Sequence, residues 1–354
     1  MKGVKNVVIG QTSQGENGGG ASTSAVWDGE RKIELVRLEV PEPGPGELKI
    51  QVEASGLCGT DVHIASGEYP LAQPGVTIGH EFAGTIVEVG QGVAENLAVG
   101  DRVVLDPNIP CRTCSQCHNG RPHLCENPQG LGVSRDGGLA QFATVPASQA
   151  YKVPEGLPAE AAALTEPLAC ALHAVDLAGV RPGAVALVLG AGPIGVLCAG
   201  LLAAAGASKV VVSEPNPERR ARVRDFGAEP AEPEAVSGLA ADVVLECVGR
   251  AETMEAAVQA AGPGGTVVWV GVTSPEAEVS IKPYDVFIRE LTIRGTYVNP
   301  FTMERALTLL DSGRINWEAV VTHRFPLESF EEAWDTHRKG AGLKISLQPA
   351  VGAS

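Results

Sequence analysis

The sequence predicts an α/β protein in two parts, a β-rich domain and a doubly wound parallel-sheet domain. Three observations carry that expectation. At 354 residues the chain exceeds what one ordinary hydrophobic core organises, so two domains are expected. From Ala25 to about Tyr151, short apolar runs (KIELVRLEV, ELKIQVEAS, AGTIVEVG, DRVVLD, LAQFATV) stand between glycine and proline punctuation, the pattern of a barrel-like set of strands. From about Pro167, apolar β-branched segments alternate with helical ones, the pattern of a parallel sheet covered on both faces.

Residues 1–21 carry most of the run TSQGENGGGAST, which offers little to bury and reads as a flexible extension. Residues 22–167 form the β-rich domain, with a cysteine-rich lobe at about 106–128. Residues 168–299 form the parallel-sheet domain, with strands at ALVLG, KVVVSE, DVVLECVG, TVVWVGV and LTIRGTY. Its helices start at Pro193 and cover PERRARVRDFG and ETMEAAVQAAG. From residue 300 to 354 an amphipathic helix, FTMERALTLLDSG, a further apolar stretch and KISLQP return to the first domain and make it discontinuous.

A hydrophobic content of 44% excludes global disorder. A net charge of −15 and a pI near 5.0 argue against nucleic acid or an anionic membrane as partner. A phosphate-bearing cofactor stays open, because backbone amides hold such ligands locally. Gly183–Ser208 is uncharged and long enough to cross a bilayer. Gly190, Gly192, Pro193 and Gly195 interrupt it, and it reads as a buried strand, a tight turn and a buried helix. The start MKGVKNVVIGQ lacks the apolar segment of a secretory signal, and eight cysteines beside a metal-binding loop fit a reducing compartment. A cytoplasmic protein is expected.

Cys111, Cys114, Cys117 and Cys125 stand as C-x2-C-x2-C-x7-C. Thiolates at that pitch converge on one tetrahedral Zn²⁺, and a closed all-sulfur shell has no open position for chemistry, so this metal is expected to be structural. The alternative, two disulfides, is awkward at such short spacing. Gly190-Ala-Gly192-Pro193-Ile194-Gly195 follows a strand and opens a helix, as a dinucleotide-binding fingerprint requires. Glu214, nineteen residues beyond Gly195, is placed to take the adenosine ribose diol. Its charge disfavours a 2′-phosphate, so NAD is expected over NADP, although Arg219 and Arg220 nearby could accept that phosphate.

A second ligand set lies in the first domain: Cys58 in GLCGTDVHI, His80 and Glu81 in GHEFAGTIVEVG, and Glu166 in TEPLAC. A thiolate, an imidazole and a carboxylate hold Zn²⁺ with a position left open, which catalysis needs. Each residue alone also suits a bland role, as a buried thiol, a turn histidine or a helix N-terminal acid. Together with the four-cysteine lobe and the Gly190 loop, in this order, they resemble the zinc-dependent medium-chain dehydrogenases. The resemblance covers nearly everything after the first two dozen residues.

The resemblance implies a GroES-like catalytic domain plus a Rossmann domain, with the active site in the cleft between them. It implies Cys58 and His80 as zinc ligands, with Glu81 ligating directly or exchanging with water and Glu166. Thr60 would take the substrate proton and pass it, through the cofactor ribose, to His63 at the surface. Lys344 would meet the cofactor pyrophosphate. Family members form homodimers or homotetramers. Gly59 after Cys58, and Glu166 where the alcohol dehydrogenase branch has cysteine, look like the sorbitol and polyol branch and like threonine 3-dehydrogenase. Ile64 stands where sorbitol dehydrogenases often have an aromatic residue.

The expected reaction is NAD-dependent hydride transfer between a secondary alcohol of a polyol or sugar-derived substrate and its ketone. The alternatives are a threonine 3-dehydrogenase or a vicinal-diol (butanediol) dehydrogenase, and a non-catalytic binding protein on the same fold. An amino-acid substrate needs a carboxylate-binding cation, for which Arg135 is one candidate. Cys170, Cys198 and Cys247 read as buried small apolar residues. His118, His123, His173, His323 and His337 take no role, and Trp269 reads as packing.

Overall fold

The computed structural model describes residues 21–350. Residues 1–20 of the expected extension lie outside the described residues. The end of that run is ordered, because Ala21–Trp27 is a strand paired antiparallel with Ile33–Glu39. It buries Ala25 and Trp27 against Ile78 and Leu139.

The first part is built on a seven-stranded sheet. Its order is Val321–Pro326, Lys344–Gln348, Glu47–Gly56, Glu81–Val89, Arg102–Leu105, Ala150–Lys152, with Phe142–Pro146 also paired to Glu47–Gly56. Alternation places Leu48, Ile50, Val52, Phe82, Ile86, Val103 and Leu105 on one inner face, where they form a single apolar cluster. Gly84 passes so close to the Gln51 carbonyl that any Cβ would collide with it, so this glycine after His80-Glu81 is a packing requirement of the strand pair.

The second part is a six-stranded sheet, parallel throughout, in the order Glu229–Ala231, Lys209–Ser213, Val185–Leu189, Ala241–Glu246, Ala261–Trp269, Thr292–Gly295. Strand order therefore reverses between Val185–Leu189 and Ala241–Glu246. Their carboxyl ends open the crevice where ligands bind in such sheets. The uncharged stretch resolves into the strand Val185–Leu189 and the buried helix Pro193–Ala204. Among the described residues no helix is long and apolar enough to cross a membrane. The helix expected over PERRARVRDFG ends at Arg222 and finishes in a single tighter turn, Val223–Phe226, stopped by Gly227 at φ 71°.

After the last strand of the second sheet, Thr292–Gly295, the chain enters the junction between the two parts. Helix Met303–Asp311 sets Met303, Leu307 and Leu310 in the same core as Leu168 of helix Thr165–Ala178 and Leu197 of helix Pro193–Ala204. Thr302 Oγ1 fixes the junction by donating to the Ala169 carbonyl at 2.8 Å. The amphipathic periodicity of FTMERALTLLDSG shows that one face is buried but not against which partner. Return to the seven-stranded sheet begins at Val321, and Lys344–Gln348 then pairs with Glu47–Gly56. The two parts share a core, since Ala54, Ala83 and Val104 lie in the cluster that holds Val188 and Leu197.

The last strand carries Lys344, 4% exposed, whose ammonium donates to both Glu81 oxygens at 2.7 and 2.6 Å and to the Leu57 carbonyl at 3.0 Å. Removing one member of a buried ion pair leaves the other uncompensated and costs about 3–5 kcal/mol. Lys344→Met therefore lowers the thermal midpoint by many degrees. An unchanged midpoint would mean that the pair does not anchor the C-terminal strand.

In the cysteine lobe all four thiols face one point, with their sulfurs within 4.8 Å of one another, and none is in a disulfide. Backbone amides of Cys111 and Asn127 donate to Cys125 Sγ at 3.2 and 3.4 Å, and Cys114 N donates to Cys111 Sγ at 3.3 Å. Bonds from the Thr113 backbone and side chain pull Cys111 down to about 6, a thiolate near neutral pH. This donor set fits one tetrahedral Zn²⁺. Cys125→Ser, or prolonged chelation, is expected to lower the melting temperature, because metal binding contributes folding free energy; differential scanning calorimetry tests it.

Candidate active site

Cys58 stands two residues after the strand Glu47–Gly56 and caps the helix Gly59–Ala65, with extended backbone at φ −121°. Its amide donates to Asp61 Oδ2 at 2.9 Å, which closes the first turn and aims the thiol inward. His80 immediately precedes the strand Glu81–Val89 and Glu81 opens it, and the pairing of Gly56 with Glu81 brings all three together. Ligand atoms of Cys58, His80 and Glu81 lie within 4.8 Å of one another. Glu166, in the first turn of helix Thr165–Ala178, is buried beside this set but outside its 4.8 Å limit.

The electrostatics fit a cation. Burial opposes charging of His80, yet Asp61 and Cys58 outweigh it and push the ring well above the usual histidine range. His80 Nδ1 is buried without a hydrogen-bond partner, with Asp61 Oδ1 3.4 Å away. Burial, reinforced by Glu81 and opposed by His80 and Lys344, raises Glu166 to about 7. A cluster that concentrates negative charge around one imidazole suits Zn²⁺ on Cys58 and His80 with carboxylate oxygen completing the shell.

Thr60 Oγ1 lies 3.7 Å from Cys58 Sγ, at the mouth of the set. His63 is exposed, with Nδ1 2.9 Å from Glu68 Oε2. Gly190 takes φ 97° to make the turn, and a Cβ on Gly195 would run into the Gly190 carbonyl, so both glycines are required by the loop's own geometry. Glu214 is buried, and its carboxylate accepts from Ala191 N at 2.8 Å and Asn216 N at 2.9 Å. That places one negative charge against the loop, at the end of the second strand.

Three side chains expected at the cofactor bond within the protein in this structure. Lys344 does not face the Gly190 loop, because its ammonium is held by Glu81 and Leu57. A lone lysine in a strand has no local pattern to reveal its partner. Arg219 donates to the Gly340 carbonyl at 2.8 Å and thereby ties the nucleotide side to the C-terminal segment. Arg220 is engaged by the Glu214 carbonyl at 2.8 Å and by Glu232 at 2.9 Å. Arg135 pairs with Glu47, so it is no free cation for a substrate carboxylate.

Ile64 is fully buried in the apolar core, so its identity says nothing about the substrate pocket. Cys198 is buried as expected. Cys170 is more than a small apolar residue, since its Sγ lies 3.5 Å from Glu166 Oε1 and 4.0 Å from Asn299 Oδ1. Its place four residues after Glu166 on one helix was the available signal. His337 is held below the usual range by burial and by Lys344, and it meets the Cys58 backbone. Tyr69 sits close to Tyr297, His80 and Cys58. Neither was marked by spacing, because tertiary folding alone brings them in.

Comparisons with known proteins agree with this geometry. Residues 44–155 match the model of the alcohol dehydrogenase GroES-like domain, and residues 193–312 that of the zinc-binding dehydrogenase. L-threonine 3-dehydrogenase of Thermococcus kodakarensis is 37% identical over 338 residues, covering 90% of this chain and 95% of that protein. Sorbitol dehydrogenase of Gallus gallus is 36% identical over 339 residues, covering 89% and 93%. The solved structure of a zinc-binding dehydrogenase from Sinorhizobium meliloti 1021 bound to NADP superposes with a TM-score of 0.90 at 37% identity, covering 93% of this chain and 100% of that one. The chain belongs to the zinc-dependent medium-chain dehydrogenases, as an alcohol oxidoreductase that uses zinc and a nicotinamide cofactor.

Proposed function

We propose that the protein oxidises a secondary hydroxyl of a polyol or sugar-derived alcohol with NAD, reversibly. The observation that carries this is the cluster of half-buried Cys58 with buried His80 and Glu81, with Glu166 beside it where a second thiolate would make a softer shell. Bound there, Zn²⁺ supplies Lewis acidity to a substrate hydroxyl, and the nicotinamide supplies the hydride acceptor. Asp61 orients His80, and Lys344 pins Glu81, so the ligands are held before substrate arrives. Thr60 Oγ1 would relay the substrate proton, giving up its own through the cofactor ribose to His63, which is exposed beside Glu68.

Glu214 supports NAD. Its carboxylate is fixed where a 2′-phosphate would be repelled, and Arg219 and Arg220 are engaged elsewhere. A second reading, a threonine 3-dehydrogenase, is favoured by the 37% identity to relatives of that name. Pairing of Arg135 with Glu47 weighs against it, because it removes that candidate for the amino-acid carboxylate. A non-catalytic role fits poorly, since every expected ligand position is filled. A cytoplasmic homodimer or homotetramer is part of the proposal. Exposed Tyr284, Phe287 and Ile288, on the helix just before the edge strand Thr292–Gly295, support assembly.

The test is NADH formation by zinc-replete protein against pentitols, hexitols, butane-2,3-diol, threonine and simple alcohols. Strong turnover within one polyol series is expected, and turnover with threonine alone would replace the polyol reading. Cys58→Ser should be silent while still binding NADH, and wild-type rates in that variant would remove the cluster from catalysis. Glu214→Ala should weaken NAD about tenfold, the equivalent of ~1.4 kcal/mol, and weaken NADP less. Equal loss for both cofactors would mean that the ribose contact lies elsewhere.

A further inference from the structure

We infer that a cavity walled in part by the cysteine lobe is a subsite for the hydroxylated end of the substrate, remote from the reacting carbon. The inference rests on the polyol reading and adds the place where chain length is recognised.

The cavity encloses about 320 Å³ where three elements meet. Tyr151 comes from the seven-stranded sheet, Asp106 from just after its strand Arg102–Leu105 and Gln149 from the turn Ala147–Gln149; Arg112 and His123 come from the cysteine lobe, and Phe301 from the segment after Thr292–Gly295. A cavity between domains, with convergent polar groups, is the usual setting of a small-molecule site. None of Cys58, His80, Glu81 or Glu166 lines it. Asn299, which does, is 2% exposed and 4.0 Å from Cys170 Sγ, itself 3.5 Å from Glu166 Oε1. One thiol therefore separates its wall from the carboxyl of the ligand set.

The polar wall is built, not incidental. Asn108 Nδ2 donates to Asp106 Oδ1 at 3.0 Å and to Asn299 Oδ1 at 2.6 Å, and Asn299 Nδ2 donates to Asp106 Oδ1 at 3.3 Å. Gln149 Nε2 donates to the carbonyls of Asp106 and Asn108 at 3.0 and 2.6 Å. The two side-chain bonds that reach the Asp106 carboxylate, from Asn108 Nδ2 and Asn299 Nδ2, both fall on Oδ1 and leave Oδ2 to accept from a ligand. The Tyr151 phenol also lines the space. Hydroxyl groups both donate and accept, which matches such a lining. One acid, Asp106, offsets one cation, Arg112, so the lining suits a neutral polyol better than a phosphate ester.

The rim is also strained. Of five non-glycine residues with positive φ among the described residues, three line this cavity: Arg112 at 61°, Val298 at 47° and Phe301 at 57°. For a β-branched valine that conformation is costly, and such outliers persist where the surroundings impose them. Phe301 is 73% exposed, so its ring is held at the rim and kept out of the core.

Ser148 also lines the cavity and is exposed on the single turn Ala147–Gln149, so a larger side chain fits there without disturbing the core. The experiment compares Ser148→Trp, which fills the cavity, and Tyr151→Phe, which removes one hydroxyl, with wild type. The readout is the ratio of kcat/KM for a hexitol to that for butane-2,3-diol, which is too short to reach. The ratio is expected to fall about tenfold in Ser148→Trp and several-fold in Tyr151→Phe, through the hexitol KM with kcat retained. An unchanged ratio overturns the subsite, as does an equal loss for both alcohols. If wild type turns over neither alcohol, the polyol reaction falls, and calorimetric binding of the hexitol then decides the cavity. Binding lost in Ser148→Trp keeps it, whereas no binding, or binding retained in the variant, overturns it.

Discussion

The buried pair between Lys344 and Glu81 is the constraint on which the rest of the catalytic part depends. Asp61, Glu81 and Glu166 bring three buried carboxyl groups around one imidazole, with the half-buried Cys58 thiol beside them. Such a cluster repels itself unless positive charge is supplied. Lys344 supplies one charge permanently, and its strand pairs with Glu47–Gly56, the strand that leads into Cys58. The pair adds little net stability compared with an apolar packing of the same volume. Its contribution is positional, because Glu81 cannot turn away from Cys58 and His80 while both of its oxygens are held. The remaining charge deficit is what a divalent cation satisfies, so structure and metal preference follow from one electrostatic requirement.

That constraint also explains why the molecule is wound as it is. The C-terminal strand has to return to the first sheet to deliver Lys344, and the helices 303–311 and 317–320 bridge the way by packing on the second part's core. Arg219 adds a further tie by donating to Gly340, four residues before Lys344. Nucleotide side and metal side are thereby coupled through the last thirty or so residues, which carry no chemistry of their own beyond one lysine and the neighbouring His337. The cysteine lobe plays a comparable part on the other flank, because its four-cysteine loop also sets Arg112 and His123 against the polar cavity.

Motif residues divide into those that do chemistry and those that make room for it. In the run from Gly79 to Gly90, His80 and Glu81 face the metal set, while Gly84 exists because the Gln51 carbonyl leaves no space for a side chain. In the nucleotide loop the same division holds. Gly190 and Gly195 satisfy a turn and a helix–strand approach, and Gly192 has nothing of the protein within 4 Å of where a Cβ would stand. Open space at that one glycine is what a bound pyrophosphate requires.

Local patterns determined most of the architecture without any tertiary information. Period-two apolar runs, the alternation of strands and helices, the cysteine spacing and the strand–glycine–helix signal each depend on neighbours within a few residues, so the chain itself displays them. Cys58, His80 and Glu81, residue types embedded in short patterned segments, are brought together by the structure. The tertiary structure alone decided where long polar side chains from remote segments end. Lys344 reached Glu81 and not the cofactor, Arg135 reached Glu47 and not a substrate, and Ile64 turned into the core. Cys170 and Asn299 joined the wall behind Glu166 in the same way. Contacts across hundreds of residues are set by sheet order and charge balance, and neither leaves a periodic trace in the sequence.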